Sequence, residues 1–217
     1  MRCGIVGNGP AENHPNFNDY KDKIDIWIGA DRGALYLAEK NISIKYAIGD
    51  FDSINNDEKT IIKRHADFYE EHLAEKDETD LELALEKAYE LHPNEIFLFG
   101  VTGGRLDHEL ANIQLLYSIR KKGIRGILVD CLNMMEITFP GKHRISNDEN
   151  FPYISFIPLT MEVEGLTLTN FYYPLQNETI SWGSTLCISN KLISNFGTFS
   201  YLSGILLFVK SRNVIPV

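Results

Sequence analysis

The chain has 217 residues, 44% hydrophobic and 24% charged, with 30 acidic against 21 basic side chains and a formal net charge of −9. This is the composition of an ordinary folded chain, which excludes disordered and fibrous classes, and the length is ample for one large or two small domains with a buried core. A net-acidic chain argues against nucleic acid or an anionic membrane as partner, since both favour Lys/Arg excess.

Residues 2–6 read as a strand ending in Gly7-Asn8-Gly9-Pro10, and residues 24–28 as a second strand ending in Gly29-Ala30-Asp31. A short helix is expected over 32–40, with apolar Leu35, Leu37 and Ala38. Residues 46–48 read as a third strand, running into Gly49-Asp50-Phe51-Asp52-Ser53. Leu81, Ala84, Leu85, Ala88 and Leu91 then recur with helical spacing. Thr79 suits the N-cap of that helix, with Asp80 and Glu82 in its first turn, where the helix dipole favours anions. Residues 96–99 form another apolar run before Gly100-Val101-Thr102-Gly103-Gly104. The next helix is expected to start near Asp107, to carry Leu110, Ile113 and Tyr117 on one face, and to stop at Gly123. Residues 127–129 read as one more strand. Strands alternating with helices predict a parallel sheet with helices on its faces.

The helical period vanishes after about residue 135. Residues 154–157, 161–169, 186–189 and 198–210 read as strands, rich in β-branched and aromatic side chains. Leu166 and Leu168 alternate with Thr167 and Thr169, the pattern of a half-buried strand. Ser203-Gly204 suits a tight hairpin turn. The fold class expected is therefore α/β: a parallel-sheet domain over 1–137, then a smaller all-β sandwich over 138–217, joined by a polar, turn-rich stretch around Pro140-Gly141.

The stretch from Met1 to Gly7 reaches glycine too soon for a signal-peptide core, and the apolar run 205–209 is far short of the ~20 residues that span a bilayer. Cys3, Cys131 and Cys187 are isolated, which fits reduced thiols rather than a disulfide frame or a zinc site. The expectation is a cytoplasmic protein.

The charge is unevenly placed. Residues 50–109 hold 17 acidic and 6 basic side chains, whereas the segments on either side are close to balanced. In an open parallel sheet, ligands bind beyond the carboxyl ends of the strands, and the glycine- and aspartate-bearing strand ends would share that rim. Asp50 and Asp52 flank Phe51, so in extended chain both carboxylates would face one side. They suit a hard cation such as Mg²⁺, and equally an Asx-type turn. Asp77 and Asp80 flank a helix start, where acids also serve as caps. Glu75, Glu78, Glu82 and Glu86 read as solvated helix-face charges. Gly103-Gly104-Arg105-Leu106-Asp107-His108 opens a helix after a strand. Glycine admits close approach, free amides favour phosphate, and Arg105 can fork onto phosphate oxygens. Asp107 is read as a cap or a metal ligand, His108 as a polar first-turn residue. Together these clusters suit a Mg²⁺–nucleoside triphosphate.

In their order, Ala30-Asp31-x-Gly33, Gly49-Asp50-Phe51-Asp52-Ser53, Lys76-Asp77-x-Thr79-Asp80 and Gly103-Gly104-Arg105-Leu106-Asp107-His108 resemble the thiamine pyrophosphokinase family of bacterial type. Gly165-Leu166, Ser181-Trp182-Gly183-Ser184-Thr185, Ser189-Asn190 and Ser203-Gly204 extend the resemblance to nearly the whole chain. It implies a nucleotide domain followed by a β-sandwich, a homodimer with thiamine at the subunit junction, and conversion of ATP and thiamine to AMP and thiamine diphosphate with Mg²⁺. It implies that Asp50, Asp52, Asp77 and Asp80 arrange metal and phosphates, and that Arg105 and Asp107 hold the triphosphate end. Asp31, Thr79, Gly103, Gly104 and His108 would lie against the nucleotide, and Ser189 and Asn190 near thiamine. Arg32 stands where the family carries glycine, so its side chain must point outward or reach the ligand. Trp182, Phe199 and Tyr201 are the candidates by type for an aromatic on thiamine. The residues assign no discrete base, and Asp80 is the working choice. The alternatives are a pyrophosphokinase for another alcohol, such as a hydroxymethyl pterin, a non-catalytic nucleotide or thiamine sensor, and a structural interaction domain.

Overall fold

The computed structural model describes residues 1–73 and 77–214. It divides into two compact units, the first Met1–Cys131 and the second beginning at Leu132.

The first unit runs β1 (Arg2–Val6), a 3₁₀ turn (Ala11–Asn13), α1 (Asn18–Lys21), β2 (Ile26–Ala30), α2 (Arg32–Glu39), β3 (Ile44–Gly49), α3 (Asn56–His65), β4 (Ala66–Glu71), α4 (Asp80–Glu90), β5 (Glu95–Phe99), α5 (Leu106–Lys121) and β6 (Arg125–Val129). Its strands pair in parallel in the order β4-β3-β2-β1-β5-β6. Helices cover the sheet, so the inner strands are continuous apolar runs rather than alternating ones. Ile96, Leu98 and Phe99 of β5 are fully buried. Ala34, Leu35, Leu37 and Ala38 of α2 and Leu81, Ala84, Leu85 and Ala88 of α4 are buried too. Gly33 is required by contact: a Cβ there would collide with the carbonyl oxygen of Val6, so α2 starts hard against the end of β1.

The order of strands reverses at β1. The strands β2, β3 and β4 lie on one side of it and β5 and β6 on the other. Such a reversal splays the connecting loops apart and opens a crevice at the carboxyl ends.

Two features of this unit differ from the expectation. The helix α3 and strand β4 occupy a stretch that shows no clear period, yet Asn55 and Glu58 form a full capping box at the start of α3. On α5, Leu110 and Tyr117 are 53% and 40% exposed, while Leu116 and Ile119 are fully buried. Ile119 sits on Gly126 of β6, which sets the phase of the helix.

The second unit holds β7 (Asn133–Thr138), β8 (Gly141–Ser146), β9 (Tyr153–Pro158), β10 (Glu162–Thr169), β11 (Leu175–Ser181), β12 (Phe196–Tyr201) and β13 (Leu206–Ser211). All its pairings are antiparallel, in the orders β7-β13-β9 and β11-β10-β12-β8. The two layers meet through aromatic side chains. Phe156 of β9 lies 4.8 Å from Phe199 of β12, and Phe199 lies 5.6 Å from Phe208 of β13, centroid to centroid. This is the expected sandwich, and Leu166 and Leu168 point into its core.

Within it, residues 186–189 form a turn rather than a strand. Residues 198–210 divide into β12 and β13, which pair in different layers, so Ser203-Gly204 crosses between layers and does not close a hairpin. The polar stretch 138–149 contains β8, held by pairing with β12. The strand β7 pairs along β13 and so belongs with the second unit.

The phase of α5 yields a direct contrast. Leu116→Ala is expected to cost about 2–5 kcal/mol, and Leu110→Ala to stay within about 0.5 kcal/mol, in urea denaturation. A larger loss for Leu110→Ala than for Leu116→Ala would put the helix in the phase expected from sequence.

Candidate active site

A cleft of about 640 Å³ opens at the carboxyl ends of the first unit's strands. Gly7, Asn8 and Gly9 line it after β1, Ala30 and Asp31 after β2, Asp50 after β3, Thr79 and Asp80 at the start of α4, and Gly104, Arg105 and His108 at the start of α5. The four sequence clusters therefore contribute to one rim, at the point where strand order reverses.

Asp31 is the most constrained of these residues. It is only 7% exposed and has φ 49° and ψ −124°, a region that a side chain rarely enters. Its backbone N–H donates to Ile48 O at 2.8 Å. Its Oδ2 accepts from Asn8 Nδ2 at 2.9 Å and from Ser53 Oγ at 3.2 Å, which ties the loops after β1 and β3 to the end of β2. Its Oδ1 is buried without a partner among the described residues. Burial raises the Asp31 pKa, and the nearby Asp80 and Asp50 carboxylates push the same way, against the hydrogen bonds of the Arg32 backbone and Ser53. Arg32 turns to α3, where its Nη2 lies 3.5 Å from Glu58 Oε1, and it does not line the cleft.

Asp50 and Asp52 part company. Phe51 has φ 51°, is fully buried and stacks on Tyr69 at 4.6 Å. The two carboxylates can share a face only if the chain between them is extended, which Phe51 prevents. Asp50 lines the cleft and its Oδ1 accepts the Asp52 N–H at 3.1 Å, an Asx turn, while Asp52 is exposed outside the lining. At the next cluster Thr79 caps α4 as expected. Its Oγ1 accepts from the Glu82 N–H at 3.2 Å, and Glu82 Oε2 accepts from the Thr79 N–H at 2.9 Å. Asp80 and Glu78 line the cleft, and Asp77 is exposed beyond it. Glu86 is exposed, as read, while Glu78 and Glu82 have these defined places. Lys76 and Glu75 lie outside the described residues.

Gly103 has φ 81°, and a Cβ there would collide with Asn13 Nδ2. Arg105 and Asp107 form a fork, Nε to Oδ1 at 3.1 Å and Nη2 to Oδ2 at 2.6 Å. Arg105 holds the Asp107 carboxyl at about 2, aided by the His108 N–H. Gly104, Arg105 and His108 line the cleft; Gly103 and Asp107 do not.

Several supports have no local signature. Thr102 Oγ1 donates to Asp130 Oδ2 at 3.0 Å, bracing the ends of β5 and β6. Asn112 Nδ2 donates to Val101 O at 2.9 Å and ties α5 to the same loop. His14 lies against Gly9 O at 3.2 Å and packs edge-on to Tyr36, and burial lowers its pKa. Only the Asn112 spacing from the helix start is of a kind that sequence alone can suggest.

In the second unit Asn190 is buried, with its side chain committed to the backbone of Tyr173: Nδ2 donates to the carbonyl at 2.8 Å and Oδ1 accepts the N–H at 3.0 Å. Ser189 has φ 57° and its N–H donates to Ser155 Oγ at 3.0 Å. Of the aromatic candidates, Phe199 and Tyr201 are buried in the sandwich and Trp182 is 60% exposed.

Asp31, Asp50, Glu78 and Asp80 share the cleft lining with Arg105, and Glu109 lines it beside that arginine. A polyanion would be repelled unless cations came with it. Among the described residues no three His, Cys, Asp or Glu form a ready metal cage. The donor chemistry nonetheless fits Mg²⁺, which takes hard oxygens, commonly one or two carboxylates together with substrate phosphates. The partnerless Asp31 Oδ1 adds one such oxygen.

The profile of the thiamin pyrophosphokinase catalytic domain matches residues 17–128, and that of the thiamin pyrophosphokinase vitamin B1 binding domain matches residues 142–206. Thiamine pyrophosphokinase of Bacillus subtilis is 47% identical over 209 residues, covering 96% of this chain and 98% of its own. The crystal structure of that Bacillus subtilis protein superposes with a TM-score of 0.93 at 46% identity, over 99% of this chain and 100% of that one. The thiamin pyrophosphokinase structure from Geobacillus thermodenitrificans superposes with a TM-score of 0.88 at 40% identity, over 100% of both.

The raised pKa of Asp31 has a definite sign for stability. The folded chain holds this proton more tightly than the unfolded one, so stability falls as pH rises from the ordinary 3.8 through the raised value. Asp31→Asn is expected to raise Tm at pH 7. The gain should vanish below about pH 3, where the carboxyl is protonated in both states. Thermal denaturation across pH checks this; a Tm lowered at pH 7 would contradict it.

Proposed function

The chain belongs to the thiamine pyrophosphokinase family and is an enzyme of that activity, a thiamine diphosphokinase, and we propose that it works with Mg²⁺ and ATP in the cleft of the first unit. The observation that supports this is the rim itself: glycine-rich strand ends, an arginine and several carboxylates at the reversal of strand order. Bound Mg²⁺ supplies charge neutralisation of the triphosphate and a template for its oxygens.

In the proposed reaction the thiamine hydroxyl oxygen bonds to the β-phosphorus of ATP as the bond from that phosphorus to the α-bridging oxygen breaks. AMP leaves with the electron pair, and the hydroxyl proton passes to a base, with Asp80 as the working choice. Such transfer is mostly positioning and charge stabilisation. Asp50 and Asp80 enter the cleft from two elements and are the metal-holding pair, with Asp52 and Asp77 exposed outside its lining. Asp31 holds the β1 and β3 loops in register, and Thr79 fixes the start of α4. Gly103, Gly104, Arg105 and His108 take the triphosphate end, which requires Arg105 to exchange Asp107 for phosphate.

The second unit, over the residues matched by the vitamin B1 binding profile, is proposed to hold thiamine, with Ser189 and Asn190 shaping that site. Asn190 does so through the Tyr173 loop that its amide clamps. The match speaks for thiamine over a hydroxymethyl pterin. The working form proposed is a cytoplasmic homodimer; among the described residues no helix is long and apolar enough to cross a membrane.

AMP release from ATP and Mg²⁺ should require thiamine and stop when the metal is chelated. Asp50→Ala and Asp80→Ala should each lower turnover by about 10²-fold or more while the far-ultraviolet spectrum is unchanged. Asp52→Ala, at the exposed edge, should cost less. AMP formation with a pterin alcohol instead of thiamine, or full turnover in Asp50→Ala and Asp80→Ala, would overturn the assignment.

A further inference from the structure

The loop that opens α5 has its anion-binding groups taken up by the chain's own carboxylates. The Gly103 N–H donates to Glu109 Oε2 at 2.9 Å, while Arg105 is forked onto Asp107. Glu109 is half-buried and lines the cleft beside Gly104, Arg105 and His108. A backbone N–H before a helix start is a favoured place for an anionic oxygen. Here a carboxylate occupies it. The other side of the loop is closed, because Gly103 is pressed against Asn13 Nδ2.

We infer that Glu109 is an internal competitor for the phosphate end of the nucleotide and sets how strongly binding depends on the cation. This rests on the nucleotide reading of the cleft. One N–H cannot serve Glu109 and a phosphate oxygen equally, and Asp31, Asp50, Glu78 and Asp80 already make the cleft acidic. A bare polyphosphate therefore has to displace a carboxylate and approach several more. A polyphosphate that arrives with its charge partly neutralised meets a smaller barrier. Glu109 is on the first turn of a helix with its long side chain half in solvent, so it can withdraw from Gly103 without unfolding α5. In the free enzyme the same contact keeps the Gly103 amide paired.

Calorimetric binding of inorganic tripolyphosphate and of ATP, each with and without Mg²⁺, tests this in the full-length protein and in Glu109→Gln and Glu109→Ala. Gln keeps an acceptor for the Gly103 N–H and removes only the charge. Both variants are expected to bind metal-free tripolyphosphate about three- to fivefold more tightly, with a smaller gain for ATP in Mg²⁺. Unchanged or weaker binding in folded Glu109→Gln would overturn the role, as would a gain of the same size with and without Mg²⁺. A purely structural Glu109 would instead lower Tm and binding in the Ala variant and leave Gln like the wild type. Wild-type protein that binds neither probe in either condition would overturn the nucleotide reading along with the proposal.

Discussion

One buried carboxylate organises the working end of the first unit. Asp31 accepts from Asn8 and Ser53, and its own N–H reaches Ile48, so one residue joins the loops after β1 and β3 to the end of β2. Burying an acid opposes folding, and so does holding a non-glycine residue at φ 49°. Both costs are borne because the surrounding structure over-determines the position. Gly33 lies against the Val6 carbonyl and fixes where α2 begins, which leaves the start of that helix little freedom. Strand reversal between β1 and β5 then places the Gly103 loop across from Asp31. Those two constraints make the cleft.

Charge in that cleft obeys a consistent logic. The 17 acids of residues 50–109 are not one cluster. Some cap helices, as Glu58 and Glu82 do, and some form exposed ion pairs that contribute little, as Glu71 does with Lys59. A few converge on the rim, where they repel one another and add to the effect of burial in raising the pKa of Asp31. An anionic substrate is compatible with such a rim only when cations accompany it. The acidity that argues against nucleic acid is thus the feature on which the proposed use of Mg²⁺ with a polyphosphate rests.

The parts of the site legible in the sequence are those with local causes. A strand followed by Gly and Asp, a Thr three residues before Glu, and Gly-Gly-Arg before a helix each act through their own turn of chain. Asp31, Asp50, Thr79, Asp80, Gly104, Arg105 and His108 accordingly line one cleft. The Asx turn that parts Asp50 from Asp52 was one of two readings open in the sequence, and packing of Phe51 on Tyr69 of β4, which shows no period, decided between them. Thr102 with Asp130 and His14 with Tyr36 were hidden for a related reason: the partners are set by how the elements pack, not by spacing. The sandwich was legible as a class from its β-branched and aromatic runs, while its pairings were not, and Ser203-Gly204 changed from hairpin to crossover.

By itself the sequence determined the alternation of strands and helices, the change of character near residue 135, the α4 cap and the family, since each rests on residue identity over short windows. Tertiary structure alone decided the order β4-β3-β2-β1-β5-β6, the phase of α5 and the exposure of Asp52 and Asp77. It also decided that Glu109 meets the Gly103 amide. Those outcomes depend on which surfaces are buried against each other, and burial is a property of the packed chain that no local window contains.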